Sequence, residues 1–239
     1  MGFETTDMKN AFLNWSSGKD AAMALEIVQK STSMKVVELF TTISKAHQRV
    51  SMHGLRLDLL QAQANALGLP LKLLQLEDQI NLKNYGDAIS KVLDSYKSNG
   101  ISDSVFGDIF LEDLRAYREE QSARYGVKCH FPLWQKDTKT LIRSFVEKGY
   151  EAIIIAADAD LFDANFVGSC IDKNWLDHLP RGVDPCGEHG EFHTFCFNGP
   201  LFSKKVGFHL GEKVKRSYPF VDKDKNRTEK SFWFMDLYI

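Results

Sequence analysis

Short apolar runs alternate with longer amphipathic segments over the first two thirds of the chain. The runs predict strands at residues 11–15, 36–43, 71–76, 104–110 and 152–157. The segments between them place apolar side chains at steps of three and four residues, as helices with one buried face do. These predicted helices cover residues 20–30, 55–67, 82–96, 111–125 and 138–148. Such alternation is typical of βα units around a parallel sheet.

The pattern changes near Gly182, where glycines, prolines and clustered aromatic residues begin. Apolar and polar residues then alternate over 191–197, 205–218 and 230–239, which predicts antiparallel strands. The charged run 222–230 between the last two is most simply a solvated hairpin tip. We therefore predict an α/β domain over residues 1–135 and a smaller, β-containing C-terminal region over residues 136–239.

Composition narrows the classes of function. The formal net charge of −2 over 239 residues argues against a sequence-independent nucleic-acid binder, which needs excess Lys and Arg. The four cysteines form no Cys-x-x-Cys pair, so neither a disulfide framework nor a thiol redox motif is indicated. No apolar run is long enough for a signal peptide or a membrane span. We expect a cytoplasmic protein with no membrane partner, and a homo-oligomer remains open.

A strand that runs through Ser-Ser-Gly-Lys-Asp into a helix is the first candidate site. Backbone N–H groups at a helix N-terminus, together with small residues, form an anion site. Ser16 and Ser17 can donate hydroxyl hydrogen bonds, Gly18 lets the backbone approach a phosphate, and Lys19 supplies a positive charge. The alternative is that Ser17 or Asp20 only caps the helix.

The loop over residues 182–194 is the second candidate site. Its sequence, GVDPCGEHGEFHT, combines turn residues with Glu188, Glu191, His193 and Thr194. Two carboxyl groups and an imidazole on one loop suit acid–base chemistry or the binding of an amine.

A zinc site at Cys186, His189, His193 and Cys196 is a rival interpretation of the same loop. It is disfavoured because His193 and Cys196, three residues apart in a predicted strand, should point to opposite faces.

Several motifs carry a resemblance to a known family. The string SSGKDA resembles the Ser-Gly-Gly-Lys-Asp-Ser signature of the PP-loop ATP pyrophosphatases. In the same order along the chain, RVSMHG, GDIFLEDLRAYREE, FPLW and GVDPCGEHGEFHTFCFNGPLF are similar to the diphthine–ammonia ligase-type ATP-binding proteins, in their bacterial branch. This resemblance implies a doubly wound, adenine nucleotide alpha hydrolase-like fold with strand order 3-2-1-4-5. ATP would lie at the carboxyl ends of the strands.

The implied reaction adenylates a carboxylate, releases pyrophosphate and lets ammonia form an amide. ATP and Mg²⁺ are the expected cofactors, with ammonia and an unidentified carboxylate acceptor as partners. The residues expected to bind the nucleotide are Ser16, Ser17, Gly18, Lys19, Asp20, His53 and Gly107, with Asp20 also binding Mg²⁺. The expected catalytic residues are Asp108, Glu188, Glu191 and His193, and the expected substrate-binding residues are Glu112, Arg118 and Thr194.

Purely structural roles for some of these residues stay open. His53 can be a packing residue, and Glu112, Arg115 and Arg118 can form an ion-pair ladder on one helix face.

Two positions depart from the PP-loop signature. Ser17 replaces a glycine, which is a small change if its backbone φ is negative, and Ala21 replaces a serine that would help to hold a phosphate.

Two alternatives to a ligase remain. The missing hydroxyl at Ala21 would suit a nucleotide-binding regulatory protein without turnover. An adenylating enzyme that modifies tRNA shares the nucleotide fold, but the near-neutral charge speaks against it.

Overall fold

The computed structural model describes residues 8–51, 53–77, 82–221 and 227–239. Residues 222–226, most of the predicted hairpin tip, lie outside the described residues, as does Met52 of the RVSMHG motif. No helix in the described ranges is both long and apolar enough to cross a membrane.

The apolar runs of the first half form one sheet. Its strands are β1 Lys9–Asn14, β2 Met34–Ser44, β3 Arg49–Val50, β4 Leu71–Leu76, β5 Asp103–Val105 and β6 Lys128–His130. The short β3 pairs antiparallel with the end of β2, and every other pairing is parallel. Without β3, the strands lie in the order β4-β2-β1-β5-β6. This confirms the predicted order 3-2-1-4-5.

Helices cover both faces of this sheet. Neighbouring residues of β1 point to opposite faces, so they show which helices pack on each side. Ala11 and Leu13 pack in the larger core cluster with side chains of α1 Lys19–Gln29 and α2 Leu57–Leu67. Phe12 lies on the other face, in a second cluster with α3 Leu82–Ser98. The remaining long helices are α4 Glu112–Ala123 and α5 Thr138–Glu147. The helices therefore form close to where the sequence pattern predicts them, and the sheet is doubly wound.

The second sheet is antiparallel and belongs to the C-terminal part. It contains β7 Glu151–Asp158, β8 Phe192–Asn198, β9 His209–Val221 and β10 Arg227–Tyr238, in the order β8-β7-β10-β9. A one-turn helix, α6 Trp175–His178, lies between β7 and β8. The predicted antiparallel strands are confirmed with small shifts of their ends.

Two predicted strands need correction. The run 152–157 lies in β7 of the antiparallel sheet, and the fifth parallel strand is the three-residue β6. Residues 152–158 are buried on both faces, so the run shows no alternation that could reveal its partners. The predicted strand 104–110 ends at Val105, since the chain then leaves the sheet and packs Gly107 against the backbone of α1.

Candidate active site

A cavity of about 470 Å³ lies where the carboxyl ends of β1, β2 and β5 meet the loop before β8. The predicted site residues on its wall are Ser16, Gly18, Lys19, Asp20, His53, Gly107, Asp108, Arg118, Glu188, His193 and Thr194. Ser17, Glu112 and Glu191 do not line it. The structure thus brings residues that are up to 178 positions apart, from Ser16 to Thr194, to one cavity.

The loop between β1 and α1 has the form of an anion cradle. Gly18 is the N-cap of α1, and a Cβ atom there would lie 3.2 Å from Thr194 Oγ1. The Lys19 N–H donates to that same hydroxyl over 3.0 Å. The side chain of a distant strand therefore caps the helix, so the capping role considered for Ser17 or Asp20 falls to Thr194.

Ser17 differs from expectation. Its φ of 73° lies in the left-handed region, where a non-glycine residue is strained. The replacement of the signature glycine is therefore not conformationally neutral. The Ser17 hydroxyl is buried and has no hydrogen-bond partner among the described residues.

Gln63 is a buried residue that supports the cradle and that the sequence analysis did not single out. Its fully buried side chain accepts a hydrogen bond from Trp15 Nε1 over 2.7 Å. It donates to the Ser17 carbonyl over 3.0 Å and to the Cys196 carbonyl over 2.6 Å. The Cys196 N–H also donates to the Ser17 carbonyl over 2.9 Å. A polar residue on the apolar stripe of α2 was the signal, since a buried amide needs partners.

Lys19 and Asp20 form a buried ion pair at the start of α1. Lys19 is 2% exposed, and its Nζ donates to Asp20 Oδ2 over 2.8 Å and to the Cys186 carbonyl. Burial lowers the pKa of Lys19, but the charge of Asp20, its hydrogen bond to Lys19 and the charges of Cys186 and Glu188 together outweigh burial and raise the pKa. The lysine therefore stays protonated. Asp20 Oδ1 is buried without a hydrogen-bond partner among the described residues.

Glu188 connects the loop before β8 to the loop after β5. Its Oε1 accepts a hydrogen bond from the Ile109 N–H over 2.7 Å. Burial raises the pKa of Glu188 to about 7, and the negative charges of Asp20 and Asp108 act in the same direction. Glu188 is therefore the acidic side chain of the cavity that can take up or release a proton near neutral pH.

Glu191, predicted to be catalytic, holds its own loop together. It is 6% exposed, and its two oxygens accept hydrogen bonds from the Asp184 and His189 N–H groups over 3.0 and 2.9 Å. Asp184, which the sequence analysis did not single out, accepts from the Cys186 and Glu188 N–H groups. Both carboxylates shape the loop that presents Glu188.

The rings of His53 and His193 lie against each other on one wall of the cavity, with centroids 4.4 Å apart and planes tilted by 31°. Burial lowers the pKa of His193 to about 4, with a further contribution from Lys19. The pKa of His53 is also well below its usual value, because of burial and then of His193 and Lys19. Both imidazoles are therefore neutral at pH 7.

Only part of the α4 face that was predicted to bind the acceptor reaches the cavity. Arg118 pairs with Asp108, with Nε 2.9 Å from Oδ2, and both line the cavity. Arg115 instead stacks on Trp134 and pairs with Glu119, and Glu112 is exposed away from the cavity. Only Arg118 of the three reaches the site.

A smaller chamber of about 90 Å³ adjoins the main cavity. The two share Asn14, Phe40, Tyr85, Ile89, Phe106 and Arg118 on their walls. The other aromatic side chains of the chamber are Phe12, Tyr117 and Tyr125. This aromatic lining suits a flat, largely apolar ring.

No group of three or more His, Cys, Asp or Glu side chains in the described parts of the chain is placed to hold a metal ion. Cys186, His189, His193 and Cys196 are all described and form no such group. The rival zinc site therefore has no support in the fold.

Family models match most of the chain. The diphthamide synthase N-terminal domain matches residues 8–129, and the diphthamide synthase C-terminal domain matches residues 137–226.

Three curated relatives are all named diphthine–ammonia ligase. Diphthine–ammonia ligase of Homo sapiens is 28% identical over 189 residues, which cover 73% of this chain and 69% of that protein. The Danio rerio protein of that name is 30% identical, covering 64% of this chain and 66% of its own length. The Schizosaccharomyces pombe protein is 32% identical over 115 residues, which make up only 19% of that longer protein.

Among solved structures, the U34-tRNA thiolase NcsA from Methanococcus maripaludis, with its [4Fe-4S] cluster, is 17% identical with a TM-score of 0.33. The likeness covers 59% of this chain and 57% of that one, and at this score it supports no inference. The two family models and the ordered motifs around the PP-loop cavity agree. The chain belongs to the diphthamide synthase family, as a PP-loop protein of the diphthine–ammonia ligase type, which makes it an ATP-dependent amide ligase.

Proposed function

We propose that the protein transfers AMP from ATP to a carboxylate, releases pyrophosphate, and lets ammonia displace AMP to form an amide. The observation that carries this proposal is the cradle of Ser16, Gly18 and Lys19 at the N-terminus of α1, on the wall of the 470 Å³ cavity. The positive end of the α1 dipole and a protonated lysine stabilise the charge that develops on the departing pyrophosphate.

Mg²⁺ fits this cradle through Asp20. Its Oδ1 is a buried carboxylate oxygen without a hydrogen-bond partner in the described residues. Mg²⁺ commonly takes one or two protein carboxylates and completes its shell with phosphate oxygens and water. Bound there, the ion would neutralise charge on the triphosphate, while Lys19 holds the other Asp20 oxygen in place.

The adenine ring would occupy the aromatic chamber. Phe40 and Phe106 belong to the chain segments on either side of β1, and they line both the chamber and the main cavity. A base held there would leave the phosphates at the α1 N-terminus. Gly107 lets the loop after β5 pack against the start of α1, because a Cβ atom there would lie 3.0 Å from the Ala21 nitrogen.

The acceptor would bind between Arg118 and the loop before β8. Arg118 can offer its guanidinium to the acceptor carboxylate if Asp108 releases it. Glu188, with its pKa raised to about 7, would take the proton that the attacking nitrogen loses. Glu191 supports this step by shaping the loop, and the smaller region over residues 136–239 contributes this side of the site.

The test is to incubate the protein with ATP, Mg²⁺, ammonium and a panel of carboxylates, and to measure AMP and pyrophosphate. We expect equal amounts of both in the presence of a suitable acceptor. Formation of ADP and phosphate would contradict the mechanism. Glu188→Gln should lower ammonium-dependent AMP release by about 100-fold, whereas Glu147→Gln, at an exposed position on α5, should not.

Nucleotide binding without turnover is the second candidate, and Ala21 favours it. Ala21 is 2% exposed and lies on the cavity wall, so the hydroxyl that the signature carries is missing at the phosphate site itself. This alternative predicts ATP binding in calorimetry with no AMP from any acceptor. Ala21→Ser should then produce measurable AMP.

A further inference from the structure

The His53–His193 pair is the part of the cavity wall that the proposed steps leave unused. His53 makes its ring hydrogen bond to the backbone of Thr194, while Nδ1 is buried and has no partner among the described residues. Since the ring N–H that donates to a carbonyl must then be Nε2–H, the free Nδ1 carries a lone pair. A buried acceptor of this kind needs a ligand that donates a hydrogen bond.

The surroundings restrict the charge of that ligand. The Lys19 ammonium acts on both rings and opposes a second positive charge at this place. Phosphates and carboxylates offer only acceptor atoms at neutral pH, so they cannot satisfy Nδ1. A small, neutral molecule with N–H or O–H donors satisfies both conditions, and ammonia is the one that the proposed amide-forming reaction consumes.

We propose that His53 and His193 form the binding site for the nitrogen nucleophile, which they take up as neutral ammonia. This inference rests on the proposed amide-forming reaction. An ammonia N–H donates to His53 Nδ1, and the nitrogen lone pair stays free to attack the acyl carbon. As the C–N bond forms, the bond from that carbon to the AMP oxygen breaks and AMP leaves with the electron pair. One proton of the nitrogen passes to Glu188.

The direct test does not require the acceptor. Protein labelled with ¹⁵N-histidine, loaded with Mg²⁺ and an ATP analogue that cannot be cleaved between the α and β phosphates, is titrated with ammonium chloride. We expect saturable shifts of the His53 and His193 ring signals, and no such shifts with sodium chloride of equal ionic strength. Absence of a saturable shift would overturn the inference.

Two substitutions at His53 sharpen the result. His53→Gln keeps an N–H for the Thr194 carbonyl but loses the Nδ1 acceptor, so the ammonium response at His193 should weaken at least tenfold. His53→Asn places an acceptor near the Nδ1 position and should restore the response to within about threefold. Equal responses in the two variants would contradict the inference.

The nucleotide is the competing ligand, because ribose hydroxyls also donate hydrogen bonds. If the ATP analogue alone shifts both ring signals to their final positions, or if His53→Gln weakens ATP binding more than threefold, His53 serves the nucleotide and the inference is wrong. Failure of the proposed function has a different signature, namely no AMP from any carboxylate, and it would leave the ammonium titration unchanged.

Discussion

The two sheets contribute to the cavity in different ways. The parallel sheet provides a contiguous motif, Ser16 to Asp20, which follows β1 and lines the cavity except at Ser17. The antiparallel sheet provides side-chain and backbone groups that bind the main chain of the first sheet. The Thr194 hydroxyl accepts from the Lys19 N–H, the Cys196 N–H donates to Ser17, and Glu188 accepts from Ile109.

This difference explains why the contiguous motif Ser16 to Asp20 is not sufficient to form the cradle by itself. The cradle residues are adjacent in sequence, but the backbones of Ser17 and Lys19 are held by hydrogen bonds to Cys196 and Thr194, about 175 to 180 positions away. Ser17 holds a left-handed backbone that is unfavourable for serine, so its neighbours must impose it. The antiparallel sheet therefore supports the conformation of the proposed nucleotide site.

The largest expected effect comes from cutting the link between the sheets at Gln63. Gln63→Leu leaves Trp15 Nε1 and the Cys196 carbonyl buried without this partner. The Ser17 carbonyl loses one of the two hydrogen bonds that it accepts. We expect the free energy of unfolding to fall by about 3 kcal/mol, measured by urea denaturation.

Gln61→Leu is the matched control for Gln63→Leu. Gln61 lies on the same helix, is exposed and bonds only to the neighbouring Asn65 side chain among the hydrogen bonds described for it. Its replacement should change stability by less than about 0.5 kcal/mol. Equal losses in the two variants would show that Gln63 does not join the sheets.

The next effect concerns catalysis and tests the motif itself. Lys19→Met keeps the length of the side chain but removes the charge and leaves Asp20 unpaired. We expect kcat/KM for ATP in AMP formation to fall at least 100-fold, or about 2.7 kcal/mol.

Lys30→Met is the control, because Lys30 is exposed at the C-terminal end of the same helix and its partner Glu26 keeps Lys148. Its kcat/KM should stay within twofold of the unmodified protein. If Lys19→Met retained comparable activity, the phosphates would have to bind elsewhere.

Much of the first sheet could be predicted because its signals are local. The helices of residues 20–30 and 55–67 follow an apolar period of three to four, and Gly68 adopts the left-handed conformation of a helix stop. The three-residue β6 is too short to show any period, and the uniformly buried β7 does not reveal its partners. Those two strands depend on pairings distant in sequence.

The site was predictable to a similar extent. Lys19, Glu188 and His193 were singled out for their side-chain chemistry, and all three line the cavity, while their roles stay predictions. Glu191 has the same chemistry as Glu188, but its hydrogen bonds to its own loop could not be inferred from spacing. Gln63 bears no catalytic group, so only its place on a buried helix face could have revealed it.

A smaller effect is expected where the antiparallel sheet caps α1. Thr194→Val keeps the shape of the side chain but removes the hydroxyl that accepts from the Lys19 N–H. We expect a loss of about 1 kcal/mol in the free energy of unfolding and weaker ATP binding in calorimetry. Thr194→Ser should restore both, and failure of serine to do so would mean that the methyl packing, not the cap, matters.

The smallest effect, a gain in stability, comes from Ser17→Gly. Glycine adopts a φ of 73° without steric cost, and the change removes a buried hydroxyl without a described partner. The relief of strain exceeds the extra entropy of glycine in the unfolded chain, so stability should rise by about 0.5–1 kcal/mol. Gly68→Ala is a control of opposite sign: its φ is 67°, no atom lies within 4 Å of an added Cβ, and alanine should cost about 1 kcal/mol. A loss of stability in Ser17→Gly would show that the serine side chain itself supports the cradle. The loop would then favour its left-handed conformation by itself, and the antiparallel sheet would not have to impose it.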